Sequence, residues 1–157
     1  MEDDIGYMGH ALALAEQAAV RGEIPIGAVV VSRSGDIIGE GFNETETQLC
    51  QDQHAEMNAI RQACISLRDW RLDGCTIYVT LEPCLMCVGC IVLSRIERIV
   101  YGAPSPRFGF CQDREWVHRL YDRPIKNITG GVGHIESREL LKKFFEERRF
   151  EGRSQGW

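Results

Sequence analysis

Apolar and polar positions recur along the chain with two periods, one helical and one extended. Ile5 to Arg21 is Ala-rich, with Leu12, Ala15 and Ala19 at helical spacing, and predicts a helix that Gly22 ends. Ile26 to Val31 is a β-branched run, and Ile37 to Asn43 resumes it after Ser34-Gly35-Asp36, predicting two strands joined by a turn. Thr45 to Gln53 is polar and loop-like. Ala55 to Leu67 predicts a helix, with Met57, Ile60 and Cys64 on one face, and Thr76 to Leu81 a strand. Cys84 to Leu93 predicts a second helix behind Pro83, a residue favoured near helix starts, and Arg98 to Tyr101 a further strand. Gly102 to Gly131 is rich in Pro, Gly and charge and predicts only a helix around Arg114 to Tyr121. Val132 to Ile135 reads as a short strand. Ser137 is expected to cap a last helix, Arg138 to Arg149, with an apolar face of Leu140, Leu141, Phe144 and Phe145. Strands alternating with helices give an α/β class in three α/β/α layers around a sheet of about five strands. One domain is expected over 1–150, followed by a loose tail, 151–157.

Composition fits one globular unit: 157 residues, 44% apolar and 26% charged. No apolar run approaches the roughly 18 residues needed to span a membrane. The start, Met1-Glu2-Asp3-Asp4, is acidic and unlike a targeting segment, so the expected location is cytoplasmic. Seven cysteines are an odd number in a chain that is neither small nor loop-rich, which favours metal binding or reduced thiols over a disulfide framework. A net charge of -5 argues against a broad nucleic-acid surface. It leaves room for a local basic patch, for which Arg107, Lys142, Lys143, Arg148 and Arg149 are candidates.

The residues that change this picture are His54-Ala55-Glu56 and Pro83-Cys84-Leu85-Met86-Cys87. Cys84 and Cys87 are three apart and share a helix face, so both sulfurs can reach one ion. His54, at the start of the other helix, completes a Cys, Cys, His set of the kind zinc prefers, with the fourth position open as in catalytic sites. Cys90 extends the spacing to Cys-x-x-Cys-x-x-Cys, and a closed structural site would use it. On a helix it lies a further turn along, out of reach without a break. Glu56 separates the two readings, because a structural site has no need of a carboxylate two residues past its His ligand. Beside a water on the ion, such a carboxylate can accept a proton and hand it to a leaving amine. Together, H-x-E and P-C-x-x-C form the signature of zinc base deaminases.

The sequence resembles the bacterial tRNA adenosine deaminases of the TadA type. The likeness runs through Gly22-Glu23-Ile24-Pro25-Ile26-Gly27-Ala28-Val29-Val30-Val31, Gly39-Glu40-Gly41-Phe42-Asn43, His54-Ala55-Glu56-Met57 and Thr80-Leu81-Glu82-Pro83-Cys84-Leu85-Met86-Cys87. It continues in Ser94-Arg95-Ile96, Val100-Tyr101-Gly102-Ala103 and the terminal Leu140-Leu141-Lys142-Lys143-Phe144-Phe145. The resemblance implies a cytidine-deaminase-like fold, a homodimer, a Zn2+ cofactor and hydrolysis of adenosine to inosine at the wobble position of a tRNA anticodon, in many bacteria an arginine tRNA. It implies His54, Cys84 and Cys87 as zinc ligands, Glu56 as proton shuttle, and Asn43 and Ala55 as substrate contacts. Arg107, Phe108, Phe144, Phe145 and the basic residues of the last helix are candidates to meet an unstacked RNA loop. Where members of the family carry Arg-Asp-x-Lys-x-Gly, this chain reads Pro104-Ser105-Pro106-Arg107-Phe108-Gly109, and Leu93 stands where they usually have His. The alternatives are a deaminase of free nucleobases such as guanine or cytosine, which would share the zinc core, and a zinc-stabilised module without catalysis.

Overall fold

Strands β1 (Gly27–Val31) and β3 (Thr76–Leu81) are buried over most of their length, and the rest of the sheet grows outward from them. The computed structural model describes residues 2–113 and 125–154. Five strands take the order β2-β1-β3-β4-β5, with β2 at Ile37–Phe42, β4 at Arg98–Ala103 and β5 at Asn127–Gly130. The β1 pairings with β2 and β3 are antiparallel, and β3–β4 and β4–β5 are parallel, so the sheet is mixed.

Alternation along the strands sorts side chains to two faces. Val29, Val31, Tyr78 and Val100 pack with Met8 and Ala11 of helix α1 (Glu2–Val20). Ala28, Val30, Ile77, Val79 and Ile99 pack with Ala59 and Ala63 of α3 (Ala55–Leu67) and Val88 and Ile91 of α4 (Leu85–Leu93). The last helix, α5 (His134–Ser154), packs on β4 and α1. These are the expected three layers. Glycines bring the helices unusually close to the sheet. A Cβ at Gly41 would lie 2.4 Å from the Ala55 carbonyl, and one at Gly39 2.2 Å from that of Ala59. Strand β2 thus fixes the position of α3 backbone against backbone.

The expected elements hold through β4, which runs two residues further than its sequence pattern indicated. Within the polar stretch 45–53, Thr45–Gln48 forms a short helix, α2, closed by Leu49 in the left-handed region at φ 53°. The expected strand Val132 to Ile135 is absent. Gly131 (φ 92°) and Gly133 (φ 68°) turn the chain there, and His134 already begins α5. The fifth strand is instead Asn127–Gly130, a short edge strand with no fully buried residue and so a weak apolar signal. Ser137 is no cap: it lies inside α5, buried, with an Oγ that has no hydrogen-bond partner among the described residues. Residues 151–154 continue α5, where a loose tail was expected. The helix expected around Arg114 to Tyr121 lies outside the described residues.

Candidate active site

Helices α3 and α4 begin side by side on one face of the sheet, and each begins at a candidate ligand. His54 is the N-cap of α3 and Cys84 that of α4, both in extended conformation. Their carbonyls accept the first helical hydrogen bonds, from Asn58 and Val88. Cys87 lies in the first turn of α4. His54 Nδ1 stands 3.7 Å from Cys84 Sγ and 3.4 Å from Cys87 Sγ. The other ring nitrogen, Nε2, lies 3.4 Å from the amide nitrogen of Gln51. All three donor atoms fall within 4.8 Å of one another. A tetrahedral zinc with ordinary bond lengths needs an N···S separation of about 3.5 Å, which both His54–sulfur distances approach. Cys90 is not part of the group; its sulfur lies 4.0 Å from the Ser94 hydroxyl.

The electrostatics favour a thiolate at Cys84. Two helix N-termini converge here, and their partial positive charge favours anions. The Cys84 thiol is pulled down to about 4, chiefly by the hydrogen bond from Cys87, with His54 adding to it against the cost of burial. The Cys87 thiol is shifted the other way, upward, by its hydrogen bond to Cys84 and by burial. The Cys84 sulfur in turn raises the His54 pKa against burial.

Glu56, in the first turn of α3, is buried at 4% exposure. Burial pushes its carboxyl up to about 7. A carboxyl held near neutrality exchanges a proton readily in both directions, as a general acid–base group must. Ala55 is fully buried between the ligand and this carboxyl.

Two loops rim the cluster, and each is tied to a buried carboxylate that sequence reasoning missed. Asn43 follows the end of β2; its amide donates to Glu23 at 3.4 Å and its oxygen accepts from the Thr45 hydroxyl at 2.7 Å. Glu23 is fully buried and accepts the backbone N–H groups of Thr47 at 2.6 Å and Glu46 at 3.2 Å. Burial works to raise its pKa, yet these bonds prevail and hold it below the usual carboxylate range. Glu82 likewise accepts backbone N–H groups, from Ser105 at 2.9 Å and Cys111 at 2.8 Å, in the loop after β4, where Arg107 and Phe108 are exposed. Charged residues default to the surface in a sequence reading, so no signal marked either one as buried.

The last helix contributes differently. Phe144 is buried and Phe145 half-exposed, their rings edge-to-face at 5.5 Å. Arg148 lies over the Phe144 ring and donates to the Gly22 carbonyl, next to Glu23. This end of α5 therefore approaches the Asn43 loop, and Phe145 is not among the residues gathered around the ligands.

Residues 1–103 match the cytidine and deoxycytidylate deaminase zinc-binding region. The tRNA-specific adenosine deaminase of Bacillus subtilis (strain 168) is 41% identical over 156 residues, spanning 95% of this chain and 92% of its own length. A structure from work on A-to-I editing by tRNA:A34 deaminases at the wobble position superposes with a TM-score of 0.81 at 37% identity, covering 87% of this chain and all but 1% of its own. The guanine deaminase of Nitrosomonas europaea is more distant, with a TM-score of 0.73 at 26% identity over 89% of this chain and 83% of its own. With its ligand triangle, its buried Glu56 and a likeness running nearly end to end, the chain belongs to the cytidine and deoxycytidylate deaminase zinc-binding family, on its tRNA-specific adenosine deaminase branch.

Proposed function

We propose that this protein deaminates adenosine to inosine at the wobble position of a tRNA anticodon, with His54, Cys84 and Cys87 holding a zinc ion. The observation that carries the chemistry is a buried carboxyl, Glu56, beside a His-Cys-Cys donor triangle that matches tetrahedral zinc. Support for the RNA substrate is the 41% identity to a tRNA-specific adenosine deaminase over nearly the whole chain.

Zinc, when bound, supplies the Lewis acidity that makes water a nucleophile near neutral pH. The chain's residues do the rest. Glu56 takes a proton as water adds to C6 of the flipped base, passes it to N1, and delivers a proton to the exocyclic amine. Water is consumed, ammonia leaves and inosine remains. The Asn43 amide, oriented by Glu23 and Thr45, keeps hydrogen-bonding capacity for the base or its ribose. Exposed Arg107 and Phe108 offer charge and a stacking surface to the unpaired loop, and half-exposed Phe145 a further one. Leu85, Met86 and Leu93 leave an exposed apolar strip along α4, which supports a homodimer. No helix among the described residues is long and apolar enough to cross a membrane, in keeping with a cytoplasmic enzyme.

The test is an assay of zinc-loaded protein on an arginine-tRNA anticodon stem-loop, beside free guanine, cytosine and adenosine. Inosine in the RNA at the wobble position is the expected product. Turnover of a free base with an inert RNA would replace this reading with that of a nucleobase deaminase, the activity of the guanine deaminase that shares the fold.

A further inference from the structure

Glu82 precedes Pro83 and Cys84 in the chain, and the mechanism above does not use it. It is a carboxylate at 6% exposure, and its two oxygens point at opposite ends of one loop. Ser105 donates its N–H to Oε2 at 2.9 Å, and Cys111 donates its N–H to Oε1 at 2.8 Å. The loop closes on itself through the Gly109 N–H and Ser105 carbonyl at 2.8 Å. It is also tied to the metal-binding segment. Phe110 donates to the Pro83 carbonyl at 3.0 Å, and Gly109 pairs with Cys84 in an isolated antiparallel bridge. Gly109 packs so tightly that a Cβ there would lie 2.3 Å from the carboxylate. What projects from this ring is its tip, Pro106, Arg107 and Phe108, all exposed.

We infer that Glu82 is a positioning residue for substrate recognition: gripping Ser105 and Cys111, it presents the Arg107–Phe108 tip to the RNA in one shape, next to the ligand Cys84. The inference rests on the tRNA reading above. Its physical basis is that an anion accepting two N–H bonds in a dry site is a strong constraint, and a loop ordered in advance loses less entropy on binding. A neutral Gln at 82 has one acceptor oxygen, and its NH2 would face one of the two backbone donors.

The experiment combines Glu82→Gln with hydrogen exchange on zinc-loaded protein and kinetics on the anticodon stem-loop. Losing a charge-assisted hydrogen bond predicts a KM raised roughly tenfold and exchange across 104–111 faster by a similar factor, with kcat and zinc content close to wild type. In an Arg107→Ala background the KM effect of Glu82→Gln shrinks, because both act through the same tip. A wild-type KM and unchanged exchange in Glu82→Gln would overturn the inference. So would loss of zinc with a matching fall in kcat, which would assign Glu82 to the metal site. Should that variant not fold, wild-type protein decides. Slow Ser105 and Cys111 amides beside fast Arg107 and Phe108 amides support the clamp, and equal rates at all four overturn it. That pattern is read without substrate, so a wild-type enzyme inert on RNA points to the substrate reading as the failure, not to the clamp.

Discussion

Glu56 and its helical neighbours Ala55, Met57 and Asn58 illustrate how one position differs from the next. Met57 and Asn58 are partly exposed, while Ala55 and Glu56 are buried, and only Glu56 carries a charge into that interior. An isolated carboxylate there would be costly, and burial answers by pushing its pKa to about 7. The strain becomes useful when a proton must come and go. Glu56→Ala is expected to keep the ligand triangle, zinc and fold, because Glu56 is not one of the three donor residues and Ala suits a helix, and to lose at least ~100-fold in kcat. Zinc analysis and single-turnover inosine formation check it; turnover near the wild-type rate would remove Glu56 from the chemistry.

At the scale of elements, the site is where two helix N-termini meet, and their placement depends on the glycines of β2. Gly39 and Gly41 lie two residues apart on the same face of the strand and meet α3 one turn apart. Adding a methyl at either forces backbone to move, at a cost of about 1–3 kcal/mol as for other overpacked contacts. The two should differ in function. Gly41→Ala presses on Ala55, between His54 and Glu56, and is expected to lower kcat and zinc affinity along with stability. Gly39→Ala presses on Ala59 and Ala63, further along α3, and is expected to lower stability with the site nearly intact. Urea unfolding and zinc competition measure the contrast; equal losses of zinc affinity would contradict it.

At the scale of the whole molecule, α1 is secured to the sheet by a partly buried charge pair. Asp4, in its first turn, accepts two N–H bonds from Arg98 of β4 at 2.8 Å and one from the Tyr78 hydroxyl at 2.8 Å. The hydrogen bond from Arg98, above all, holds the Asp4 pKa below its ordinary 3.8. A folded pKa below the unfolded one gives stability that is complete above the unfolded value and is lost as pH falls through the folded value. Asp4→Asn is therefore expected to be less stable than wild type at neutral pH, with the gap closing below about pH 4. Chemical unfolding across pH 7 to 3 checks this, and a gap independent of pH would rule out the charge pair as its source. The apolar strip on α4 gives a second prediction at this scale. Leu93→Glu is expected to convert a dimer to monomer in sedimentation, whereas a monomeric wild-type protein would refute the assembly.

Local pattern alone marked most elements and the candidate donor set. β-branched runs, helical spacing and the fixed offsets within His54-Ala55-Glu56 and Cys84–Cys87 are properties of neighbouring residues, and α3 and β3 begin and end where that pattern says. The pattern failed at Asn127–Gly130, where pairing with β4 makes a strand that few apolar residues announce, and at Ser137, which packs close against Gly102 inside the helix it was expected to cap. The convergence of His54 with two cysteines 30 and 33 residues away is a product of the sheet, which sets α3 beside α4. Burial of Glu23 and Glu82 was likewise decided only by the fold, because backbone donors from distant segments hold these two carboxylates inside, and no local sequence records those donors.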